Sequence, residues 1–245
     1  MTEPNPVKTF APIPELAAFV RELRVVESVD GMERVLVPEP ALVAGFRYAG
    51  AAFSGGARMP DASLSGLRDT ARTMVTRPGS GMIAVSFTPL GAAQFFDCAL
   101  HELVNGHVSL NELWARDVTD EISAATDRVN AVQKLLLEQR IERAADPLVA
   151  FALTKLHSVR VGELAREVGL SRDRFEKRFR RAVGTSARHF ASLLRLRRVM
   201  KRAGKVPLGT LAHEVGYFDQ SHLNREFRAF VGAAPGRFFR DARFC

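Results

Sequence analysis

Two short stretches of this chain carry side chains suited to reading the edges of nucleic-acid bases. Arg172, Asp173, Glu176, Lys177 and Arg180 lie in one, and Gln220, Ser221, His222, Asn224, Arg225 and Arg228 in the other. In a major groove, arginine pairs with guanine, Gln or Asn with adenine, and an acidic side chain accepts from cytosine. Ser171 and Asp219 stand just ahead of the two stretches, and both residue types cap a helix by accepting a backbone N–H. A charged face turned only toward water is the commoner explanation of either stretch alone. What favours base reading is that the two stretches belong to one pattern written twice.

The first copy, ELAREVGLSRDRFEKRFRRAVG, ends at Gly184, and the second, TLAHEVGYFDQSHLNREFRAFVG, ends at Gly232. Leu164, Ala165, Val168 and Gly169 return 47 positions later as Leu211, Ala212, Val215 and Gly216. Beyond the turn the offset is 48, and Ser171, Phe175, Phe179 and Gly184 return as Asp219, Leu223, Phe227 and Gly232. The second turn therefore holds one extra residue. Each copy predicts a short helix with a narrow apolar stripe, a sharp turn at glycine, an N-cap, and a second helix burying two large side chains at i and i+4. That is a helix-turn-helix.

Between the copies, Ser186 to Ala203 predicts one helix. Phe190, Leu193, Leu194, Val199 and Met200 form its apolar side, and Arg195, Arg197, Arg198, Lys201 and Arg202 crowd the rest. A rod of this length, about 27 Å at 1.5 Å per residue, suits two recognition helices set into neighbouring grooves about 34 Å apart. Charge agrees. Residues 146–245 hold 21 Lys plus Arg against 9 Asp plus Glu, a net +12, whereas residues 1–145 hold 14 against 18, a net −4. A basic half joined to a mildly acidic one fits a nucleic-acid-binding domain with a partner domain of another kind. A membrane surface or RNA would also suit basic charge, but neither explains the duplication.

The C-terminal hundred residues resemble the DNA-binding domain of AraC/XylS-type bacterial transcription regulators. The stretch GYFDQSHLNREFRAFVGAAPGRFFR, residues 216–240, follows that family's signature of Gly, an aromatic, a polar Asp-Gln-Ser run, Arg225, Phe227, Gly232 and Pro235. LAREVGLSRDRFEKRFR matches more loosely, and its Asp173 and Glu176 depart from the pattern in charge. The resemblance implies one monomeric reading head of two units, with base contacts near Asp173, Glu176, Lys177, Gln220, Ser221 and Arg225. It places Ser171 and the arginine-rich linker helix against phosphates. It further implies double-stranded DNA and RNA polymerase as partners, in an activator or repressor of the bacterial cytoplasm. The rest of the chain would then sense a small effector or mediate self-association as a homodimer.

The N-terminal part predicts a short helix at Pro14–Glu22, then β-structure over 33–88 with apolar runs at Val35–Val37, Ala41–Phe53 and Met82–Phe87. From Pro89 the pattern becomes helical: LGAAQFF, ALHELVN, SLNELWARDV. GMIAVSFTPLGAAQFF followed by VSLNELW resembles the sensor-like domain of a subset of AraC-type regulators, which would make this domain cupin-like. Phe46, Tyr48, Phe53, Phe87, Phe95, Phe96 and Trp114 line either an effector pocket or simply the core. Residues 127–143 predict an amphipathic helix with Val129, Val132, Leu135, Leu136 and Ile141 on one side, packing on its own domain or dimerising. After it, Asp146-Pro147 opens a helix whose inward residues are expected to be Leu148, Phe151, Ala152 and Leu156.

The fold class is thus α+β: a β-rich N-terminal domain with trailing helices (1–125), a connecting helix and linker (126–145), and an all-α double helix-turn-helix domain (146–245). No run of apolar residues is long enough to span a membrane, and the first residues lack the pattern of a secretion signal. Two cysteines, one of them last in the chain, indicate no disulfide framework. Cys98, His101 and His107 match no standard zinc spacing, so neither a metal nor a cofactor is expected, and the reading is of a regulator, not an enzyme. The rivals are control by a protein partner or by abundance, a non-specific nucleoid-type binder, and a DNA-repair enzyme using Cys98.

Overall fold

A computed structural model describes residues 7–240; Cys245 and the end of the closing stretch after Arg240 lie outside the described residues. The strands are β1 (Val7–Phe10), β2 (Val20–Ser28), β3 (Met32–Leu36), β4 (Val43–Ala49), β5 (Ala52–Ser54), β6 (Ala57–Arg58), β7 (Ala62–Ser65), β8 (Arg72–Thr76), β9 (Ser80–Phe87) and β10 (His107–Ser109). The helices are α1 (Leu110–Trp114), α2 (Thr119–Ala124), α3 (Arg128–Glu138), α4 (Pro147–Lys155), α5 (Val161–Glu167), α6 (Arg172–Val183), α7 (Ala187–Arg202), α8 (Leu208–Glu214), α9 (Gln220–Val231) and α10 (Pro235–Phe238).

The strands form two antiparallel sheets, one in the order β1-β2-β9-β4-β7-β10 and one in the order β3-β8-β5-β6. In the larger sheet β1 and β10 are opposite edges, so it does not close on itself through strand pairing among the described residues. The helix expected over Pro14–Glu22 is a single 3-10 turn, Pro14–Leu16, and the chain is extended again from Val20. The reason is long-range: Val20, Leu23 and Val25 pair with Phe87, Val85 and Ile83 of β9. The helical pattern after Pro89 likewise resolves into 3-10 turns at Ala92–Gln94 and Leu100–Leu103 before α1.

The two faces of the larger sheet differ in kind. Leu23, Val85, Ala44 and Leu64 face one side, with Ile83 and Phe46 beyond them, and all are buried in the main core. Phe87, Phe95, Phe96 and Trp114 complete that core: the Trp114 ring stacks on Phe96 at 5.4 Å, and its Nε1 donates to the Phe95 carbonyl at 3.1 Å. These four and Phe46 are packing residues. Phe53 lies apart, under Arg77, whereas Tyr48 packs at the margin of the core under Arg128. The other face carries a cross-strand row Glu22, Ser86, Val43, Ser65, His107, and beside it Arg24, Ala84, Gly45, Ser63, Ser109. It is small and hydroxylic rather than apolar.

The apolar stripe of α3 is used inside the chain: Val132, Leu135 and Leu136 are fully buried, and Gln133 accepts from the Ile13 N–H at 2.7 Å. In α4, Asp146 caps the first turn, Val149, Ala152 and Leu156 turn inward, and Phe151 is 40% exposed under Lys155. This corrects the inward position expected of Phe151. Val149 takes that place because it shares the helix face of Ala152 and Leu156.

The helical part sits against the β-domain at several points. The Ala71 N–H donates to the Phe230 carbonyl at 2.6 Å, His189 Nε2 lies 3.2 Å from Asp69 Oδ1, and Gly184 abuts Leu100 and Leu67. Arg143 reaches Asp97 at 2.6 Å, and Arg178 pairs with Asp146. The C-terminal ends of α6 and α9 therefore face the β-domain.

Candidate nucleic-acid interface

The duplication seen in the sequence is a duplication of geometry. Leu164, Ala165, Phe175 and Phe179 in the first unit, and Leu211, Ala212, Leu223 and Phe227 in the second, are at most 1% exposed. Gly169 and Gly216 have φ of +71° and +93°, a backbone that glycine alone adopts without steric cost. Their turns close alike: the Leu170 N–H donates to the Ala165 carbonyl at 2.9 Å, and the Tyr217 N–H to the Ala212 carbonyl at 2.8 Å. Ser171 Oγ then accepts from the Arg174 N–H at 3.4 Å and Asp219 Oδ1 from the His222 N–H at 2.6 Å, starting α6 and α9. Asp219→Ala should lower stability by about 1 kcal/mol through loss of that cap, and an unchanged denaturant midpoint would contradict the role.

With the apolar residues turned in, the opposite faces are open. Ser171, Arg172, Asp173, Lys177 and Arg180 are exposed on the first unit, as are Gln220, Ser221, Arg225 and Arg228 on the second, while Asn224, Asp219 and His222 are half-buried. The His222 ring meets the Tyr217 ring edge-on at 5.2 Å. Glu176 is placed differently from its neighbours, since its Oε2 accepts from the Ala187 N–H at 2.9 Å and so caps α7. Phe218, in the lengthened second turn, is 83% exposed beside the start of α9. Sequence reasoning passes over it, although an aromatic preceding a cap residue was the available signal.

The linker helix differs most from its sequence reading. Of the basic residues expected to face phosphate, Arg195, Arg197, Arg198 and Arg202 are engaged within the protein and Lys201 is exposed. Arg195 Nη2 bonds Glu226 Oε1 at 2.8 Å and lies over the Tyr217 ring, Arg202 pairs with Glu214 at 2.7 Å, and Arg198 reaches the His157 carbonyl at 3.4 Å. Arg197 is half-buried, its pKa lowered first by burial and then by Arg21 of β2. Ser192 Oγ also donates to Glu226 Oε1, at 2.6 Å. Burial opposes ionisation of Glu226, but hydrogen bonds from Arg195, Ser192 and Tyr217 outweigh it and hold its pKa below the usual carboxylate value. Glu226 is thus a structural joint between α7 and α9.

Cys98 is half-buried, and burial, Asp97 and Glu102 all raise its pKa, which favours the inert thiol over the reactive thiolate. Among the described residues no group of three His, Cys, Asp or Glu side chains is arranged to hold a metal, and no helix is long and apolar enough to cross a membrane.

Residues 164–241 match a family described as a helix-turn-helix domain, and residues 8–109 match a family described as a domain of unknown function. An AraC-like transcription regulator of Streptomyces antibioticus is 37% identical over 101 residues, which are 38% of this chain and 33% of that protein. Another, from Streptomyces lividans, is 35% identical over the same shares. The chain thus spans about a third of the length of these curated relatives. Among solved structures, ToxT of Vibrio cholerae is similar with a TM-score of 0.47 and 11% identity, covering 91% of this chain and 97% of that one. The C-terminal domain of AraT from Geobacillus stearothermophilus has a TM-score of 0.37 and 18% identity over 40% of this chain and 88% of that one. The C-terminal part of this protein is a helix-turn-helix domain. Over those 101 residues it is similar to the AraC-like transcription regulators of Streptomyces.

Proposed function

We propose that this protein is a sequence-specific DNA-binding transcription regulator of the bacterial cytoplasm, and not an enzyme. In this reading α6 and α9 enter adjacent major-groove segments of one duplex. The observation that carries it is the pair of matching units, each presenting polar and basic side chains opposite a fully buried stripe. Asp173 and Lys177 read bases from α6, and Gln220, Ser221 and Arg225 from α9, with Ser171, Arg172, Arg180, Asn224 and Arg228 on flanking phosphate or sugar. Glu176, tied to the start of α7, orients the linker instead, and Phe218 offers an apolar surface to a thymine methyl group. Residues 146–245 act as the reading head, 126–145 as connector, and 1–125 as the part that senses an effector or self-associates. RNA polymerase is the downstream partner. Because the α3 stripe is committed to the chain's own core, self-association would use another surface.

Arg225→Ala tests the assignment. It should weaken binding to a selected operator by about 1–3 kcal/mol and relax preference at one base pair. A fluorescence-anisotropy titration on cognate and scrambled duplexes reads both. Equal loss on the two duplexes would reduce Arg225 to a phosphate contact, and no preference for any duplex at physiological salt would refute sequence-specific regulation altogether.

A further inference from the structure

We infer that the β-domain fixes the angle between the two helix-turn-helix units, through a plate of two loops in which Asn105 and Asp69 are positioning residues for DNA reading. The inference rests on the regulator proposed above. It gives the β-domain a part in sequence specificity that touches no DNA.

The plate consists of residues 66–71 and 99–106, and Asn105 ties the two loops together. Its backbone N–H donates to the Leu67 carbonyl, and its carbonyl accepts from Arg68 Nη1, both at 2.9 Å. Its side-chain Oδ1 accepts from the Asp69 N–H at 2.9 Å, and its Nδ2 donates to Asp69 Oδ2 at 2.8 Å. Asn105 has a φ of +62°, a left-handed backbone that asparagine tolerates better than most side chains. Beside it the Gly66 N–H donates to the Gly106 carbonyl at 3.2 Å, and a Cβ on Gly66 would collide with the Leu103 carbonyl. The two loops are therefore one piece.

The plate touches both units and the helix between them. The first unit meets it at Gly184, the end of α6, where a Cβ would lie 3.3 Å from Leu100 and 3.4 Å from Leu67. The second meets it near the end of α9, where the Phe230 carbonyl accepts from the Ala71 N–H at 2.6 Å. Between these points Asp69 Oδ1 lies 3.2 Å from His189 Nε2 in the first turn of α7, and the His189 ring packs 5.7 Å from the Phe230 ring. The linker helix supplies a first connection between the units, through Glu176 at its start and Glu226 on Arg195 and Ser192. Two bodies joined by one strut can still turn about it. The plate adds a second connection, closes a ring and removes that turn.

The placement of this grip leaves the reading faces free. The plate holds α6 and α9 at their C-terminal ends, whereas Arg172, Asp173, Gln220 and Ser221 are exposed or open at the N-terminal ends, which are the ends that contact bases in a helix-turn-helix. Each helix has 12 residues and is therefore about 18 Å long. A tilt of about 10° at the gripped end carries the other end by about 3 Å over such a length. That is nearly the rise of one base pair, about 3.4 Å. Small freedom at the plate thus becomes an error of one step in the bases that are read.

A duplex selected by the full-length native protein from a random-sequence pool is the probe. One base pair inserted between its two protected segments should weaken native binding about tenfold or more, the cost of misplaced base contacts. The double variant Asp69→Ala with Asn105→Gly removes the brace, and glycine takes the backbone of position 105 without strain. Its affinity for the selected duplex should fall about fivefold, and the insertion should then cost it less than about threefold, since free units adjust their spacing. His189→Ala, which removes the contact from the helical side, should act in the same direction. A variant that is merely less stable loses affinity equally on both duplexes and keeps the native spacing penalty. Without DNA, amide hydrogen exchange at Ala71 should be faster in the double variant than in the native protein. The native spacing penalty retained in both variants, tighter binding of the selected duplex by either, or unchanged exchange at Ala71 would overturn the inference. If the native protein selects no duplex, the regulator is refuted, whereas exchange at Ala71 still decides whether the plate holds the units.

Discussion

Phe227→Ala should lower the stability of the C-terminal domain by about 3–5 kcal/mol, the cost of deleting a large buried aromatic ring. Phe227 is fully buried, and its ring meets those of Phe238 and Phe239 at 5.4 and 5.7 Å, so it locks α9 to the closing helix α10. Its loss removes the anchor of the recognition helix and a ring contact that α10 shares. Helical signal in a denaturant titration should fall at a much lower midpoint, and binding to duplex DNA should fail even where Arg225 is intact. A variant with the native midpoint would mean that the second unit is held by something other than this packing.

Glu226→Ala comes next in size. It leaves Arg195, only 25% exposed at its side chain, facing Tyr217 without its carboxylate. Removing one partner of a buried pair costs about 3–5 kcal/mol; partial solvent contact reduces this to about 2 kcal/mol. The sign of the pH dependence follows from the lowered pKa of Glu226. Its contribution is full above the unfolded carboxylate pKa of about 4.3 and is lost as pH falls through the lower folded value. The stability gap between the native protein and Glu226→Gln should accordingly hold near neutrality and narrow in strong acid. A gap that stayed constant throughout would assign the effect to shape rather than charge.

The double helix-turn-helix was legible in the chain because its determinants are local. Caps at Ser171 and Asp219, turns at Gly169 and Gly216, and apolar pairs such as Phe175 and Phe179 act over a few residues, and their spacing records the geometry directly. What sequence alone leaves unresolved depends on partners far along the chain. Pro14–Glu22 has a helical pattern, but β9 pairs the segment from Val20 as a strand. The aromatic residues of the N-terminal domain suit the core more often than a pocket by spacing alone, and the stacking of Trp114 on Phe96 is visible only in space.

Arginine shows the division most clearly, since its charge is visible in any sequence but its partner is not. Arg195 has the look of a phosphate contact, and a carboxylate 31 residues away claims it. Arg24 draws no attention in the sequence, yet β-pairing turns it toward Ser86, 62 residues on, and Glu39 lies 3.5 Å from it. By itself the sequence determined the two reading units and the basic strut between them. Only the tertiary structure decided which charges remain open to solvent, which join helices, and which carboxylates the strand arginines meet. The reason is that electrostatic partnership is a matter of distance in space, while helix signals are a matter of distance along the chain.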